Sequence, residues 1–224
     1  MRRLIAVVLA VVVVLVGGSA FYLKVLEHPD KKLTIDSTAS HSSTTIDAAA
    51  DDGTSDGTWK ASSDSIVGYR VQETLFGSSA TATGRTSKVT GSITISGTTV
   101  NSGSFSIDMN SVSSDRTQRD GQFRGRIMNT AQFPTATFKL TRPIALSSVA
   151  MNEEIKATAT GDLTLHGVTQ SVTFDVVAKR VTGQIKVNGE IPIHFADYGI
   201  GNPSGGPARV GDDGTLEFTL VFTR

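Results

Sequence analysis

Apolar and polar residues alternate along most of the chain after residue 59. The clearest segment places Phe105, Ile107 and Met109 on one face, with Ser106 and Asp108 on the other. A period of two is typical of a β-strand with one buried face, whereas the strands of parallel sheets give continuous apolar runs. The abundance of Thr agrees with a solvated second face. The pattern therefore predicts an all-β domain built from antiparallel sheet.

Turn signals divide these segments into eight predicted strands. Gly97 and Gly167 lie between successive segments, and Asn188-Gly189 predicts a break or a bulge within a longer one. Eight antiparallel strands can close into a barrel whose interior holds one small ligand. The predicted strands are 66–73, 85–96, 99–109, 135–141, 155–166, 169–179, 184–195 and 215–223.

One segment between the third and fourth predicted strands has a helical pattern. Ser114–Arg126 begins with a candidate Ser or Asp cap, carries mixed charge and is followed by Gln132-Phe133-Pro134, which stops a helix. A helix inserted between these strands is expected to lie across the sheet or to close the mouth of a barrel.

The first residues read as a membrane anchor or an export signal. Leu4–Leu23 contains no charged residue, and a helix of this length spans about 30 Å, the thickness of a bilayer core. The most apolar part, Leu4–Val16, also suits a cleaved signal peptide, and Gly18-Ser19-Ala20 offers the small residues of a cleavage site. Because Tyr22 and its neighbours prolong the apolar run, we predict an uncleaved signal-anchor over 1–24, with the rest of the chain outside the cytoplasmic membrane. Cleavage would give a secreted protein instead.

The next residues have the composition of a linker. From Asp36 to Thr58, 21 of 23 residues are Asp, Ser, Thr, Ala or Gly. Such a segment buries too little apolar surface to offset its ordering entropy. We therefore predict a flexible linker over 25–58 and a single folded domain over 59–224.

Composition excludes several classes of function. The chain has 21 Lys and Arg against 21 Asp and Glu, which argues against a nucleic-acid binder because such proteins need a basic surface. It has no Cys, which excludes disulfides, Cys-type zinc sites, thiol catalysis and a lipid-modified N-terminal Cys.

Residues able to carry catalysis are few and scattered. The predicted domain contains two His, of which His194 lies out of phase with Ile193 and Phe195 and is expected to face outward, and His166 lies at a hairpin tip. The acidic and basic neighbours in 115–120 are explained more simply as ion pairs on a helix surface. We therefore predict no catalytic site, no metal site and no cofactor.

A series of short motifs follows Trp59 in a fixed order. These motifs are Gly68-Tyr69-Arg70-Val71, Gly91-Ser92-Ile93-Thr94-Ile95, Arg119-Asp120, Phe133-Pro134-Thr135-Ala136-Thr137-Phe138 and 161–169. In this order and spacing they resemble the YceI-like family of exported, lipocalin-like proteins that bind polyisoprenoid lipids, over nearly all of the 166 residues of the domain. The span and linker ahead of the domain are similar to those of membrane-anchored actinobacterial members. One family motif, Asp-x-x-His-Ser before the first long strand, is absent, since the chain reads Ser63–Gly68 there.

The resemblance implies a closed eight-stranded antiparallel barrel with an apolar channel and a non-catalytic function. An isoprenoid lipid, either a polyprenyl phosphate or an isoprenoid quinone, would be bound, sequestered or carried outside the membrane. For the apolar residues a packed core is the equally simple alternative, and Arg119 would contact a head group or form an ion pair. The predicted ligand-binding residues are Phe105, Ile107, Met109, Phe138, Leu163, Leu165, Phe174, Ile193, Phe195, Phe218, Leu220 and Arg119.

Two alternatives from other classes remain at this stage. One is an interaction module of the cell envelope, in which the barrel is filled and loops such as 197–214 bind partners. The other is a hydrolase or isomerase acting on a bound lipid, which the scarcity of His and the absence of Cys disfavour.

Overall fold

The computed structural model describes residues 31–37, 54–148 and 150–224. The predicted anchor over 1–24 lies outside these residues, and no helix among the residues that are described is both long and apolar enough to cross a membrane. The described residues contain thirteen strands. These are β1 Gly57–Ala61, β2 Ile66–Leu75, β3 Ser78–Thr86, β4 Val89–Ser96, β5 Thr99–Asp108, β6 Ser113–Ser114, β7 Thr135–Leu140, β8 Ile144–Ala145, β9 Glu154–Leu165, β10 Val168–Val181, β11 Gln184–His194, β12 Ala208–Val210 and β13 Asp213–Thr223.

Eight of these strands close into an antiparallel barrel, as the sequence predicts. The order around the ring is β1-β4-β5-β7-β9-β10-β11-β13, and β13 pairs with β1 to close it, with Ala61 opposite Phe222. β13 also pairs with β2 over Thr215–Thr219. β13 thus pairs with β1 near its C-terminal end and with β2 further back. Where β1 ends, the wall is continued by β2, β3 and the short β6.

The strand prediction is correct for most of the chain and wrong in three places. β1 was not predicted as a strand, although it completes the ring: its first two residues fell in the predicted linker and the others at the start of the predicted domain. The predicted strand 66–73 is β2, which lies outside the ring. β3 was predicted only at its last residues. The predicted break at Asn188-Gly189 does not occur, because β11 is continuous and pairs with β13 over its whole central part.

The helix is shorter than predicted and starts differently. α1 comprises Thr117–Gln122 and runs on into a single π turn, Phe123–Ile127. The predicted Ser or Asp cap is wrong: Arg116 precedes the helix without a side-chain cap, while Asp120 accepts hydrogen bonds from the backbone and hydroxyl of Ser114 at 2.8 and 2.6 Å. These bonds tie α1 to β6. Phe123 stacks on Tyr69 of β2, with ring centroids 5.1 Å apart, so the helix covers one end of the barrel.

The two ends of the barrel can be identified from β9, which runs from one end to the other. At its start, Glu154 lies opposite Lys179, beside Arg180, and at its other end Leu165 enters the turn His166-Gly167. We call the first the Arg180 end and the second the α1 end. The β2–β3 hairpin also lies at the α1 end, since Leu75 pairs with Ala208 in the loop beside the helix.

A segment ahead of the barrel is docked on the outer face of β13. Leu33 is 4% exposed, its backbone N–H lies 3.5 Å from Glu217 Oε2, and Thr219 donates a 2.9 Å hydrogen bond to the carbonyl of Thr34. Lys32 forms a 2.7 Å ion pair with Glu190. Part of the predicted linker therefore contacts the barrel, and we call Lys31–Ser37 the docked segment.

Beneath the docked segment lies a buried carboxylate. The Glu217 side chain is 1% exposed and accepts hydrogen bonds from Arg70 at 3.2 Å and from Arg85 at 3.2 and 2.8 Å. Arg85 also donates to the carbonyl of Lys31. A buried charge requires such partners, since an unpaired one would be strongly destabilising. The outer face of β13 is thus a second, polar core, separate from the interior of the barrel.

Aromatic rings in the interior rest on glycines of neighbouring strands. A Cβ at Gly161 would lie 2.4 Å from the ring of Phe138 and 2.5 Å from the carbonyl oxygen of Lys139. Gly161 therefore provides the space that the Phe138 ring occupies, and Gly189 does the same for the ring of Phe218, where a Cβ would approach to 2.6 Å.

We expect Gly161→Ala to lower the free energy of unfolding by about 1–3 kcal/mol, the usual cost of overpacking a core. The reason is that both the ring and a backbone carbonyl must move. Urea denaturation measures the effect. The matched control is Gly121→Ala in α1, where a Cβ would meet nothing within 4 Å and is expected to be neutral or stabilising. Equal stabilities of the two variants would contradict this explanation.

Candidate functional site

The interior of the barrel is incompletely filled. It contains two cavities, one of about 150 Å³ towards the Arg180 end and one of about 290 Å³ towards the α1 end. We call them cavity 1 and cavity 2. Both are lined by Val67, Ile107 and Leu216, so the two cavities adjoin at these side chains.

Alternation along the strands explains why the lining is apolar. Phe105, Phe138 and Leu163 follow one another in register across β5, β7 and β9, and all three line cavity 1. The Phe174 ring packs against Phe138 and Phe218, with centroid distances of 5.5 and 5.9 Å. Edge-to-face packing of this kind is favourable for aromatic pairs and stabilises the arrangement of these rings.

All twelve residues predicted to bind a ligand line one of the two cavities. This places them together, while their contact with a ligand stays a prediction. Cavity 1 has Phe105, Ile107, Phe138, Leu163, Phe174, Phe218 and Leu220; cavity 2 has Ile107, Met109, Arg119, Leu165, Ile193 and Phe195.

The mouth of cavity 2 is polar but balanced in charge. Arg119 lies 3.3 Å from Glu73, whose side chain is 9% exposed, and also forms an ion pair with Asp115. Arg116 lies 3.6 Å from the same Asp115. Each guanidinium at this mouth therefore has a carboxylate partner. An incoming anionic group would have to compete with these carboxylates.

Tyr69 forms part of the wall beneath this mouth. Burial against Phe123, with the nearby carboxylates of Asp120, Asp115 and Glu73 adding to it, raises the pKa of the Tyr69 hydroxyl well above its ordinary value, although Arg119 opposes the shift. The hydroxyl therefore stays protonated and uncharged at physiological pH.

Cavity 1 has polar groups near its far end. Arg180 is 8% exposed and donates a 3.0 Å hydrogen bond to the carbonyl of Thr54. Lys179 and Glu153 lie at the same end. The long middle part of the space, between Arg180 and Arg119, presents almost only hydrocarbon and aromatic surface.

The two His of the domain lie outside both cavities. His194 faces outward as predicted, and its Nδ1 lies 2.8 Å from Asp213 Oδ1, a hydrogen bond that raises the pKa of His194. His166 lies at the β9–β10 turn, with Nδ1 3.2 Å from the carbonyl of Tyr198. In the described part of the chain, no group of three or more His, Asp or Glu is placed to hold a metal ion.

Comparison with models of known families identifies the family of the chain. A family model described as a YceI-like domain matches residues 33–222. The chain belongs to the YceI-like family. The match confirms the resemblance seen in the motifs, and it includes Leu33 of the docked segment. Among curated proteins, no sequence matches the chain.

Solved structures share the fold of this YceI-like protein. A polyisoprenoid binding domain from Saccharophagus degradans, implicated in plant cell wall breakdown, matches with a TM-score of 0.60 and 19% identity over 75% of this chain and 98% of that one. BcnA from Burkholderia cenocepacia gives 0.56 and 20%, over 72% and 98%. A YceI protein from Campylobacter jejuni gives 0.50 and 18%, over 61% and 81%. At these identities the likeness establishes the fold alone.

Sequence reasoning missed much of the wall of cavity 2. Tyr69 and Val71 line it, and their alternation with Val67 along β2 was the available signal. Phe123 was noted only as part of a helix. Ile200 and the loop that carries Pro207 also contribute, and no periodic pattern marks them.

Proposed function

We propose that this YceI-like protein binds an isoprenoid lipid without catalysis and sequesters or carries it outside the cytoplasmic membrane. The observation that supports this most strongly is the pair of adjoining cavities, whose lining is predominantly apolar. A domain of the same fold from S. degradans is described as polyisoprenoid binding, which adds support.

The size of the space sets an expectation for chain length. An engineered cavity of about 150 Å³ holds one benzene molecule, which has six heavy atoms. By this measure the cavities of about 150 and 290 Å³ hold roughly six and twelve heavy atoms. An isoprene unit has five carbons. A chain of about three to four units would thus fill both cavities, and each Å² of apolar surface removed from water would contribute about 25 cal/mol. Ordering the chain offsets part of this gain.

The balanced charges at the mouth of cavity 2 favour a neutral head group. Arg119 and Arg116 already face Glu73 and Asp115, so a polyprenyl phosphate would have to displace a carboxylate, while a quinone ring would not. The protonated hydroxyl of Tyr69 and the amides of Gln118 and Gln122 lie in the same wall. Of the two lipids that we consider, we therefore expect the isoprenoid quinone.

A filled barrel that binds partners through its loops is the alternative from the sequence. It requires a packed interior, and cavities of about 150 and 290 Å³ argue against it.

Binding by the delipidated protein tests the proposal. Isoprenoid quinones of increasing chain length and a polyprenyl phosphate of matched length would be titrated calorimetrically. We expect one lipid per protein, an affinity that rises with length up to about three to four units and then levels off, and weaker binding of the phosphate. Failure of every isoprenoid to bind would overturn the proposed function, and tighter binding of the phosphate would overturn the choice of head group alone.

We also propose that Leu4–Leu23 anchors the protein in the membrane, with the barrel on the outer side. The support is the uncharged length of this segment. N-terminal sequencing of the mature protein tests the anchor, since a mature chain that begins at Phe21 would contradict it.

A further inference from the structure

One tyrosine in the wall of cavity 2 has a hydroxyl that makes no hydrogen bond to the protein. Tyr69 lies on β2 between Val67 and Val71 on the inward phase, and these residues line the cavity. Within residues 31–37, 54–148 and 150–224, no group is hydrogen-bonded to the Tyr69 hydroxyl. A largely buried Tyr usually has such a partner, since a Phe would bury the same ring without a polar group. The hydroxyl is therefore available to a ligand in cavity 2.

Two neighbours hold the ring of Tyr69 in place. The ring stacks on Phe123, with an angle of 14° between the two planes and a centroid distance of 5.1 Å. It also covers Gly84, which lies opposite Tyr69 in the register of β2 and β3. A Cβ at Gly84 would lie 2.4 Å from the ring and 2.9 Å from the hydroxyl oxygen. Because the ring is confined in this way, its hydroxyl has a defined position, and little conformational freedom is lost when it binds a ligand.

The hydroxyl lies at the α1 end of cavity 2. Gly84, which the Tyr69 ring covers, pairs with Ser114 of β6, and Ser114 is bound to α1 through its hydrogen bonds to Asp120. The amides of Gln118 and Gln122 on α1 line the same cavity, but both side chains are exposed. Ordering an exposed Gln on a ligand costs more conformational entropy than using a ring that is already fixed. Tyr69 is therefore the uncharged polar residue of this wall that is best placed to orient a ligand.

The charges around this hydroxyl disfavour a negatively charged ligand group beside it. Burial contributes most to the raised pKa of the Tyr69 hydroxyl, and Arg119 opposes the shift. The carboxylates that add to the effect of burial are those of Asp120, Asp115 and Glu73. An environment that disfavours the tyrosinate also disfavours an anionic oxygen at the same place. A neutral acceptor, such as the carbonyl oxygen of a quinone, is free of this penalty.

We propose that the Tyr69 hydroxyl donates a hydrogen bond to the carbonyl oxygen of a neutral head group at the mouth of cavity 2, and that this bond determines which isoprenoids the protein prefers. The inference rests on the proposed lipid binding and adds the residue that recognises the head group. The apolar lining binds the tail whatever its head group, whereas the Tyr69 hydroxyl favours a lipid that carries an acceptor oxygen.

Tyr69→Phe tests this assignment, because it removes the hydroxyl and keeps the ring that stacks on Phe123. The delipidated full chain is titrated calorimetrically with two ligands: a benzoquinone that carries a tail of about three isoprene units, and an isoprenoid hydrocarbon of the same tail length. We expect the variant to bind the quinone about five- to tenfold more weakly, which is the usual contribution of one neutral hydrogen bond. Its affinity for the hydrocarbon, which has no acceptor oxygen, is expected to stay unchanged.

Tyr198→Phe is the matched control. Tyr198 is 3% exposed and lines neither cavity 1 nor cavity 2, so loss of its hydroxyl is expected to leave the affinity for both ligands unchanged. Infrared difference spectroscopy of the bound quinone gives a second measurement that packing alone does not move. A carbonyl group that accepts a hydrogen bond absorbs at lower frequency, so the stretching frequency is expected to rise in Tyr69→Phe and to stay the same in Tyr198→Phe.

The other outcomes overturn the proposal in distinguishable ways. Equal weakening of quinone and hydrocarbon binding in Tyr69→Phe would mean that the residue acts through the packing of the cavity wall. An unchanged quinone affinity with an unchanged carbonyl frequency would mean that the hydroxyl does not contact the head group, while the proposed lipid binding would stand. If neither ligand binds the unchanged protein, the proposed function itself fails, and the role of Tyr69 fails with it.

Discussion

Glu217→Ala is expected to lower the free energy of unfolding by about 3 kcal/mol, within the range for removing one partner of a buried ion pair. The Glu217 side chain is 1% exposed, and its two oxygens accept bonds from Arg70 and Arg85. Without the carboxylate, the guanidinium groups of Arg70 and Arg85 lose the buried acceptor that they share. The docked segment also loses the contact of Leu33 with Glu217 Oε2. Chemical denaturation, monitored by circular dichroism, measures the change.

The control for this experiment is Glu154→Ala on β9. The Glu154 side chain is 52% exposed and lies 3.5 Å from Lys179, so it makes the same type of pair at the surface. Its removal is expected to change the stability by less than about 0.5 kcal/mol. Equal effects at the two positions would show that burial of the Glu217 pair has no special role, and that the outer face of β13 is not a second core.

Ala157→Trp is expected to weaken isoprenoid binding at least tenfold, or by about 1.4 kcal/mol. Ala157 lines cavity 1 between Ile155 and Ala159 on the inward phase of β9, so a large ring at this position occupies the space assigned to the lipid chain. Because the ring grows into a cavity and not into packed atoms, the stability should be kept or raised. Calorimetric titration of the delipidated variant with an isoprenoid quinone measures the affinity.

The matched control is Lys156→Trp, one residue earlier on the same strand. Lys156 is exposed on the outer face, where a Trp is compatible with a β-strand and lies far from the cavities. Its affinity for the quinone is expected to equal that of the unchanged protein. A loss of binding in both variants would mean that the substitutions act through β9 itself, and unchanged binding in Ala157→Trp would mean that the lipid chain does not occupy cavity 1.

The sequence was sufficient for the part of the barrel that alternates large apolar with polar residues. β5, β7, β9, β10, β11 and β13 were predicted nearly to their ends. β3 was missed because its buried positions are small, at Ala82, Gly84 and Thr86, so it gives no alternation of apolar bulk. A Cβ at Gly84 would lie 2.4 Å from the ring of Tyr69, which shows why bulk is excluded there. The space over Gly84 of β3 is filled by the ring of Tyr69 from β2, and not by a side chain of β3 itself.

The sequence predicted which residues surround the site, but it did not predict that these residues enclose cavities. Phe174 and Leu163 would show the same period-two pattern in a filled core as they do around a cavity, since the difference depends on how far apart the closed ring holds its walls. Similarly, Leu33 is one of few apolar residues in the predicted linker, and its docking depends on Glu217, which lies 184 residues away. Contacts of such sequence separation leave no local pattern.

The most direct test of the account is the lipid content of the purified full chain. The protein would be extracted with organic solvent and the extract analysed by quantitative mass spectrometry, beside Ala157→Trp prepared in the same way. We expect about one isoprenoid molecule per unchanged protein molecule and a much smaller amount from the variant. An extract of the unchanged protein without isoprenoid, or equal amounts from the two proteins, would contradict the proposal that the adjoining cavities hold such a lipid.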